Sequence, residues 1–276
     1  MRWVFGALVL AGCGRFGFGE VDAPRTDAGA DAEVDAGDGA TAVTACDAVD
    51  EPDLVALYSF ESGLGDELTG RHPAMPRGGV VAAAGRCGAY SAAFPAGAYL
   101  LVPDAPAFDL ATGSIELYVR TPDPSRAENQ ALISRDANGL ASEGHLAILL
   151  STSGQLVARL QRGGASYYRC HTELPADTWV HIGVSWGGAA TEGFRLWVDH
   201  AQASLPSTML DGAPITCTDA PPAGGIAGNG NTLVIGGSNV HAGDGSQEPV
   251  VDQFLVDGQL DQVRLRSSWR DFGLPE

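Results

Sequence analysis

The chain has 276 residues, 16 basic and 34 acidic, for a formal charge of −18, and every basic residue is Arg. The absence of Lys excludes a Lys nucleophile, a Schiff-base cofactor and a P-loop, whose Lys reaches the phosphates. The acidic balance argues against nucleic acid, which is bound by clustered cations that release phosphate counterions, and a composition of 45% hydrophobic and 18% charged residues with 37 Gly and 16 Pro suits a turn-rich globular domain.

Residues 1–12 read as an export signal. Arg2 supplies the positive start, and the apolar run from Val4 to Leu10 is too short to span a bilayer as a mature helix. The run ends in Leu10-Ala11-Gly12-Cys13, which resembles the lipobox of bacterial lipoproteins. That resemblance implies that Cys13 is diacylated and becomes the new N-terminus; an ordinary signal peptide cut elsewhere is the alternative. Two or three acyl chains, at about 0.8 kcal/mol per buried methylene, make a durable anchor. Gly14 stands where an Asp would mark inner-membrane retention, so the resemblance implies the outer membrane, on its periplasmic or its surface side, with the lipid as the only membrane contact.

Residues 13–50 form an acidic linker. Nine acids between Gly14 and Asp50 face only Arg15 and Arg25, and the Asp-Ala-Gly repeats offer no large apolar side chains beyond Phe18 except Val. Such a stretch repels itself and cannot bury a core, which predicts a disordered, extended tether. Asp31, Glu33 and Asp35 alternate as calcium-loop ligands do, but Ala36 and Ala42 occupy the positions where that loop requires Gly and Glu.

From Glu51 to Glu276 the chain reads as one all-β domain. Ile115, Leu117 and Val119 alternate with Glu116, Tyr118 and Arg120, and Phe194, Leu196 and Val198 with Arg195, Trp197 and Asp199, the pattern of half-buried strands. Further strands are predicted at Leu54 to Phe60, Ala98 to Val102, Gln130 to Arg135, His145 to Ser151, Gln155 to Gln161, Trp179 to Trp186, Leu233 to Gly236 and Gly258 to Arg266. Turn signals such as Ser153-Gly154 and Gly228-Asn229-Gly230 separate them, and helical stripes are nearly absent, which predicts an antiparallel two-sheet sandwich. With Cys13 assigned to lipid, Cys46, Cys87, Cys170 and Cys217 remain for an oxidising compartment and allow three connectivities. The pairing expected is Cys46 with Cys87, stapling the domain entry, and Cys170 with Cys217, joining the strand around Tyr168 to a Pro-rich loop over 205–222. No C-x-x-C spacing points to zinc instead.

Taken in order, Leu54-Val55-Ala56-Leu57-Tyr58-Ser59-Phe60-Glu61, Gly113-Ser114-Ile115-Glu116-Leu117-Tyr118-Val119-Arg120, Trp179 to Trp186, Leu196-Trp197-Val198-Asp199 and Gly258 to Leu265 resemble the laminin-G-like, concanavalin A-like jelly-roll family over nearly all of 52–270. The resemblance implies two stacked curved sheets, a concave or rim surface that binds glycans or proteins, and often a structural Ca²⁺. Departures are Asp199-His200 in place of the usual Asp-Gly turn and a long loop expected from Ala201 to Asn231.

The same fold serves glycoside hydrolases and lyases, which need two carboxylates roughly 5 to 9.5 Å apart. No paired-acid strand is present: Glu116 is followed by Tyr118 and Arg120, so Glu116 and Arg120 read as solvent-face decoration. No G-x-S-x-G or H-E-x-x-H motif occurs, and His181 reads as a surface hydrogen-bonding residue. Asp261 shares the alternation of Val263 and Leu265, which would aim its carboxylate inward; either it shares a Ca²⁺ with Asp66 or it takes backbone donors or an Arg. Of Tyr167 and Tyr168, adjacent on a strand, at most one faces outward, and Gly228 to Asn231 read as a flexible turn. The function expected is therefore a lipid-anchored, monomeric envelope protein that binds a glycan or another surface protein and is not an enzyme. The rivals are a glycoside hydrolase or polysaccharide lyase and a purely structural surface protein.

Overall fold

Stretches in which apolar residues alternate with polar ones have one face to bury, and strands meet that demand by pairing edge to edge and stacking face to face. The computed structural model describes residues 51–65, 70–136, 144–162, 164–187, 193–217, 225–240 and 250–273. In chain order the strands begin with β1 (Leu54–Tyr58), β2 (Met75–Arg77), β3 (Val81–Ala84), β4 (Tyr90–Phe94), β5 (Tyr99–Val102) and β6 (Gly113–Arg120). Then come β7 (Gln130–Arg135), β8 (His145–Leu150), β9 (Gln155–Arg162), β10 (Ala165–Glu173), β11 (Val180–Trp186), β12 (Arg195–Val198) and β13 (Ala201–Gln202). The last are β14 (Ser207–Leu210), β15 (Ala213–Thr216), β16 (Leu233–Ile235), β17 (Ser238–Val240), β18 (Val250–Asp252) and β19 (Gly258–Arg266).

One sheet runs β13-β12-β11-β6-β19-β4-β3, with β1 also paired to β19, and the other runs β10-β9-β8-β7-β16-β5-β2. All of these pairs are antiparallel. Ile115, Leu117 and Val119 of β6 and Val180, Ile182, Val184 and Trp186 of β11 meet Leu146, Ile148 and Leu150 of β8 and Leu156, Ala158 and Leu160 of β9 in one core. Each large aliphatic side chain so buried stabilises the sandwich by roughly 1.5 to 3 kcal/mol.

The strands predicted from alternation are present, with ends within two residues of those expected. Those not predicted include the small-residue strands β3 and β4 and the short β2, whose sequences carry no apolar-polar alternation, and the two- and three-residue strands β13, β17 and β18. The expected Pro-rich loop over 205–222 is also corrected in its described part. There β14 and β15 pair as a hairpin, Ser207 opposite Thr216 and Leu210 opposite Ala213. Its turn residues Asp211 and Gly212 both have positive φ, 51° and 73°, the backbone that an Asp-Gly pair tolerates at a two-residue turn. The hairpin forms because it has an apolar side to hide. Leu210, with Leu205 and Ile215, covers Ala131, Ala147, Leu149 and Val157 on the outer face of the second sheet.

A Cys170–Cys217 disulfide fastens this hairpin to β10 across 47 positions of sequence. Cys87 is disulfide-bonded as well, while Cys13 and Cys46 lie outside the described residues. The Asp199-His200 turn between β12 and β13 also takes positive φ, 46° and 67°. Its strain is offset because Asp199 Oδ1 accepts the His181 backbone N–H at 2.9 Å and His200 Nδ1 lies 2.9 Å from the Phe272 carbonyl.

Replacing Cys170 and Cys217 together by Ser is expected to lower the unfolding free energy by about 3 to 4 kcal/mol, the loop-closure value for a bridge of this span. Urea unfolding followed by fluorescence measures it, and an unchanged midpoint would show that the hairpin holds without the bond.

Candidate functional site

At one rim of the sandwich the β6–β7 connection, 121–129, meets the segment 253–257 that leads into β19. Gln130, at the start of β7, ties the two together. Its Nε2 donates to the carbonyls of Asp123 (3.0 Å) and Pro124 (3.3 Å), and its Oε1 accepts the Val256 N–H at 3.2 Å. The Ala131 N–H donates to the Gln253 carbonyl at 2.6 Å and closes the junction. Between the two segments opens a cleft of about 440 Å³, within the range of small-molecule sites.

Its walls combine charge, amide and an aromatic ring. Arg126 lies 3.8 Å from Asp123 and 3.5 Å from Asp257, with Glu128 exposed beside them. Phe254 and Val256 give an apolar wall, Phe254 resting at 6.0 Å, tilted, on Tyr99. Asn129 is only 4% exposed, and its Nδ2 donates to Asp211 Oδ1 at 2.5 Å. Two polar atoms of these residues are buried without a hydrogen-bond partner, Asn129 Oδ1 and Arg126 Nε. Each such atom costs roughly 1 to 3 kcal/mol, which a ligand supplying the missing partner recovers. An unfilled acceptor and an unfilled donor beside a ring face suit a polyhydroxylated molecule.

A second cavity of about 300 Å³ lies beside the disulfide, lined by Arg169, Gln202, Ser204 and Pro206. Arg169 is already engaged there, with Nε donating to the Phe194 carbonyl at 2.5 Å and the guanidinium 5.9 Å from the Phe194 ring.

The residues singled out from sequence lie elsewhere. Asp261 does not share the alternation of Val263 and Leu265. Gln262, with φ of +50°, forms a bulge in β19, so that Leu260 and Val263 both enter the core and Asp261 turns to the opposite face, across from Tyr118. There the residue is fully buried, and its Oδ2 accepts the backbone N–H groups of Arg86 (2.7 Å) and Cys87 (2.9 Å). Burial pushes its carboxyl above the ordinary range, against the pull of those donors. Asp66, the expected second calcium ligand, lies outside the described residues, and among the described residues no three His, Cys, Asp or Glu side chains gather as a metal site. Around Asp261 the described neighbours include the N–H donors of Arg86 and Cys87 and the charge of Glu61.

Glu116 and His181 are likewise not solvent-face residues. They are 6% and 4% exposed, because the segment after β19 crosses this face: Phe272 sits on Gly183, and Ser185 Oγ donates to the Arg270 carbonyl at 2.7 Å. Glu116 Oε1 accepts from His181 Nε2 at 2.8 Å and Oε2 from Arg266 at 2.9 Å, with Arg264 at 3.8 Å. Burial pushes the Glu116 carboxyl up, but the His181 hydrogen bond and the Arg266 charge outweigh it and hold it at about 2. Tyr167 packs on the main core and Tyr168 on the outer cluster, facing opposite ways. The turn at Gly228 to Asn231 is held rigidly. Asn229, fully buried, donates to the carbonyls of Arg135 (2.7 Å) and Gly144 (3.0 Å), and Arg135 donates to the carbonyls of Phe108 (2.8 Å), Ile226 (3.0 Å) and Asn231 (3.2 Å). The cleft residues Arg126, Asn129 and Phe254 escaped sequence reading because loop residues carry no periodicity, and a single Asn or Phe is no motif.

Comparison with known proteins places this architecture. The pattern of the Concanavalin A-like lectin/glucanases superfamily matches residues 94–269, a span that includes the cleft. No curated protein matches the sequence. Among solved structures, domain 4 of AbnA, a GH43 extracellular arabinanase from Geobacillus stearothermophilus in complex with arabinotriose, is 14% identical with a TM-score of 0.52, over 80% of this chain and 96% of that one. The binding domain of Paraclostridial Mosquitocidal Protein 1 is 15% identical with a TM-score of 0.54. The receptor binding domain of botulinum neurotoxin C/D mosaic serotype is 9% identical with a TM-score of 0.52. Each toxin match takes in 80% of this chain, which spans about half of the toxin domain: 50% for the first and 49% for the second. At these identities the likeness is one of fold: a concanavalin A-like jelly roll.

The Glu116 network sets an acid limit. Because its folded-state pKa of about 2 lies below the ordinary 4.5, its contribution is fully present above pH 4.5 and is lost as pH falls towards 2. Glu116→Gln is expected to cost about 1.5 to 3 kcal/mol at neutral pH by removing the charge that faces His181, Arg264 and Arg266, with Arg266 still paired to Glu51 and Arg264 still bonded to Gln262, and to flatten the decline in stability between pH 4.5 and 2. Thermal unfolding across that range measures both effects, and parallel curves for the two proteins would contradict the assignment.

Proposed function

Because the chain belongs to the Concanavalin A-like lectin/glucanases superfamily, we propose that it is a lipid-anchored binding protein of the cell envelope whose rim cleft takes a carbohydrate. The observation that carries this reading is the pairing of unfilled hydrogen-bonding atoms, Asn129 Oδ1 and Arg126 Nε, with the ring of Phe254 in one cleft. Sugars present hydroxyls that both donate and accept, and C–H faces that pack on aromatic rings. The complex of the arabinanase domain with arabinotriose supports it, since that domain shares the fold and is covered almost entirely.

Binding is favoured over hydrolysis. Glu116, the acid weighed as a catalyst, is enclosed, hydrogen-bonded to His181 and held ionised far below neutral pH, so it has no proton to give as a general acid. The anchor rests on Leu10-Ala11-Gly12-Cys13, followed by an acidic stretch that would carry the sandwich away from the outer membrane as a monomer.

A glycan array probed with the full chain in detergent is expected to give discrete saccharide hits. Asn129→Ala and Phe254→Ala should each weaken the leading hit tenfold or more, which corresponds to about 1.4 kcal/mol. A silent array, with a protein captured by cross-linking instead, would overturn the carbohydrate reading. Fatty-acid labelling in the producing cell is expected to tag the chain and to be abolished by Cys13→Ser; equal labelling of the two would contradict the anchor.

A further inference from the structure

The orientation of one amide and the balance of charge around the cleft define the class of saccharide, on the premise that the cleft is the saccharide site. Asp211, at the tip of the β14–β15 hairpin, receives Asn129 Nδ2 at 2.5 Å and Gln253 Nε2 at 3.2 Å on the same Oδ1. Asp211 Oδ1 accepts from both amides, so the amide nitrogen of Asn129 faces it, and the oxygen is the atom left without a partner. The unfilled position at Asn129 is therefore an acceptor, which a hydroxyl or an ammonium satisfies and a carboxylate cannot.

The charges point the same way. Asp123 and Glu128 line the cleft, and Asp257 lies 3.5 Å from Arg126. Arg126 is the single cation among the described lining residues, and it is already shared between Asp123 and Asp257. An acidic sugar would have to displace those carboxylates from Arg126 while facing Glu128. The full chain, at −18, adds long-range repulsion at low salt.

We propose that the cleft selects neutral or amine-bearing saccharides and rejects uronic and sialic acids, and that Asp211 is the positioning residue that sets this selectivity by fixing the Asn129 amide. Asp211 comes from a hairpin that the Cys170–Cys217 bond ties down, so a segment distant in sequence determines what the rim accepts.

The test compares neutral, amine-bearing and acidic saccharides on one array with the full chain in detergent. The leading hits are then titrated by calorimetry beside their uronate counterparts. The expected result is hits confined to the neutral and amine classes and at least tenfold weaker binding of the matched uronate. Asp123→Asn with Glu128→Gln should narrow that gap. Asp211→Asn, which frees the Asn129 amide to turn its nitrogen towards the ligand, should narrow it too, by about fivefold, with an unfolding midpoint close to that of the parent. A loss of stability alone would lower affinity for both classes and leave the ratio fixed, and a fixed ratio contradicts the role of Asp211. Acidic saccharides that bind as well as neutral ones overturn the selectivity while leaving the site in place. Neutral binding that survives Asn129→Ala and Phe254→Ala overturns the cleft itself.

Discussion

A strand can bury only every second residue in the interior of a two-layer sandwich, and the other half of its side chains must be solvated, paired or covered. That constraint organises this protein. The inner faces are filled by one continuous apolar cluster from both sheets. The outer faces are then closed by different means. On the first sheet, Glu116 and Glu51 pair with His181, Arg264 and Arg266 beneath the segment that carries Arg270 and Phe272. On the second, the disulfide-tied hairpin lays Leu210 and Ile215 over Ala147, Leu149 and Val157.

The contrast between two arginines shows what unsatisfied chemistry looks like. Arg135 is 1% exposed, and its donors are spent on four carbonyls from two segments and on Asp104 and Asp109, so it fastens loops and has nothing to offer a ligand. Arg126 is held by longer ion pairs, and its buried Nε, 3.8 Å from Asp123, has no hydrogen-bond partner, as is true of Asn129 Oδ1 in the same cleft. Buried polar groups in folded proteins are normally satisfied, and the two exceptions among the residues of this cleft are positions that a ligand could fill. The rigid supports of that cleft, Gln130 bridging two loops and Asp211 holding Asn129, keep the exceptions in place before a ligand arrives.

The fold was legible because alternation and turn residues are local signals. β6, β7, β8, β9, β11, β12, β16 and β19 were each visible as apolar residues set off by Gly, Asp or Asn turns. What failed had physical causes. One inserted residue, Gln262, reverses the facing of everything before it on β19, and no pattern of side chains announces a bulge. Polar residues at the outward phase of a strand read as solvent-exposed until a distant segment covers them, as Phe272 covers the region around His181. The β14–β15 hairpin was concealed by its prolines, although the Asp211-Gly212 pair was the turn signal that could have revealed it. The cleft itself was beyond reach, since its chemistry depends on which of two amide atoms faces Asp211, and that is decided only once segments far apart in sequence meet.

The most direct measurement is a crystal structure of the chain with the strongest saccharide ligand bound. The account predicts a sugar ring against Phe254, with one hydroxyl donating to Asn129 Oδ1 and another oxygen accepting from Arg126 Nε. Density for the sugar beside the Cys170–Cys217 bond, or on the outer face of either sheet with the rim cleft unchanged, would contradict it.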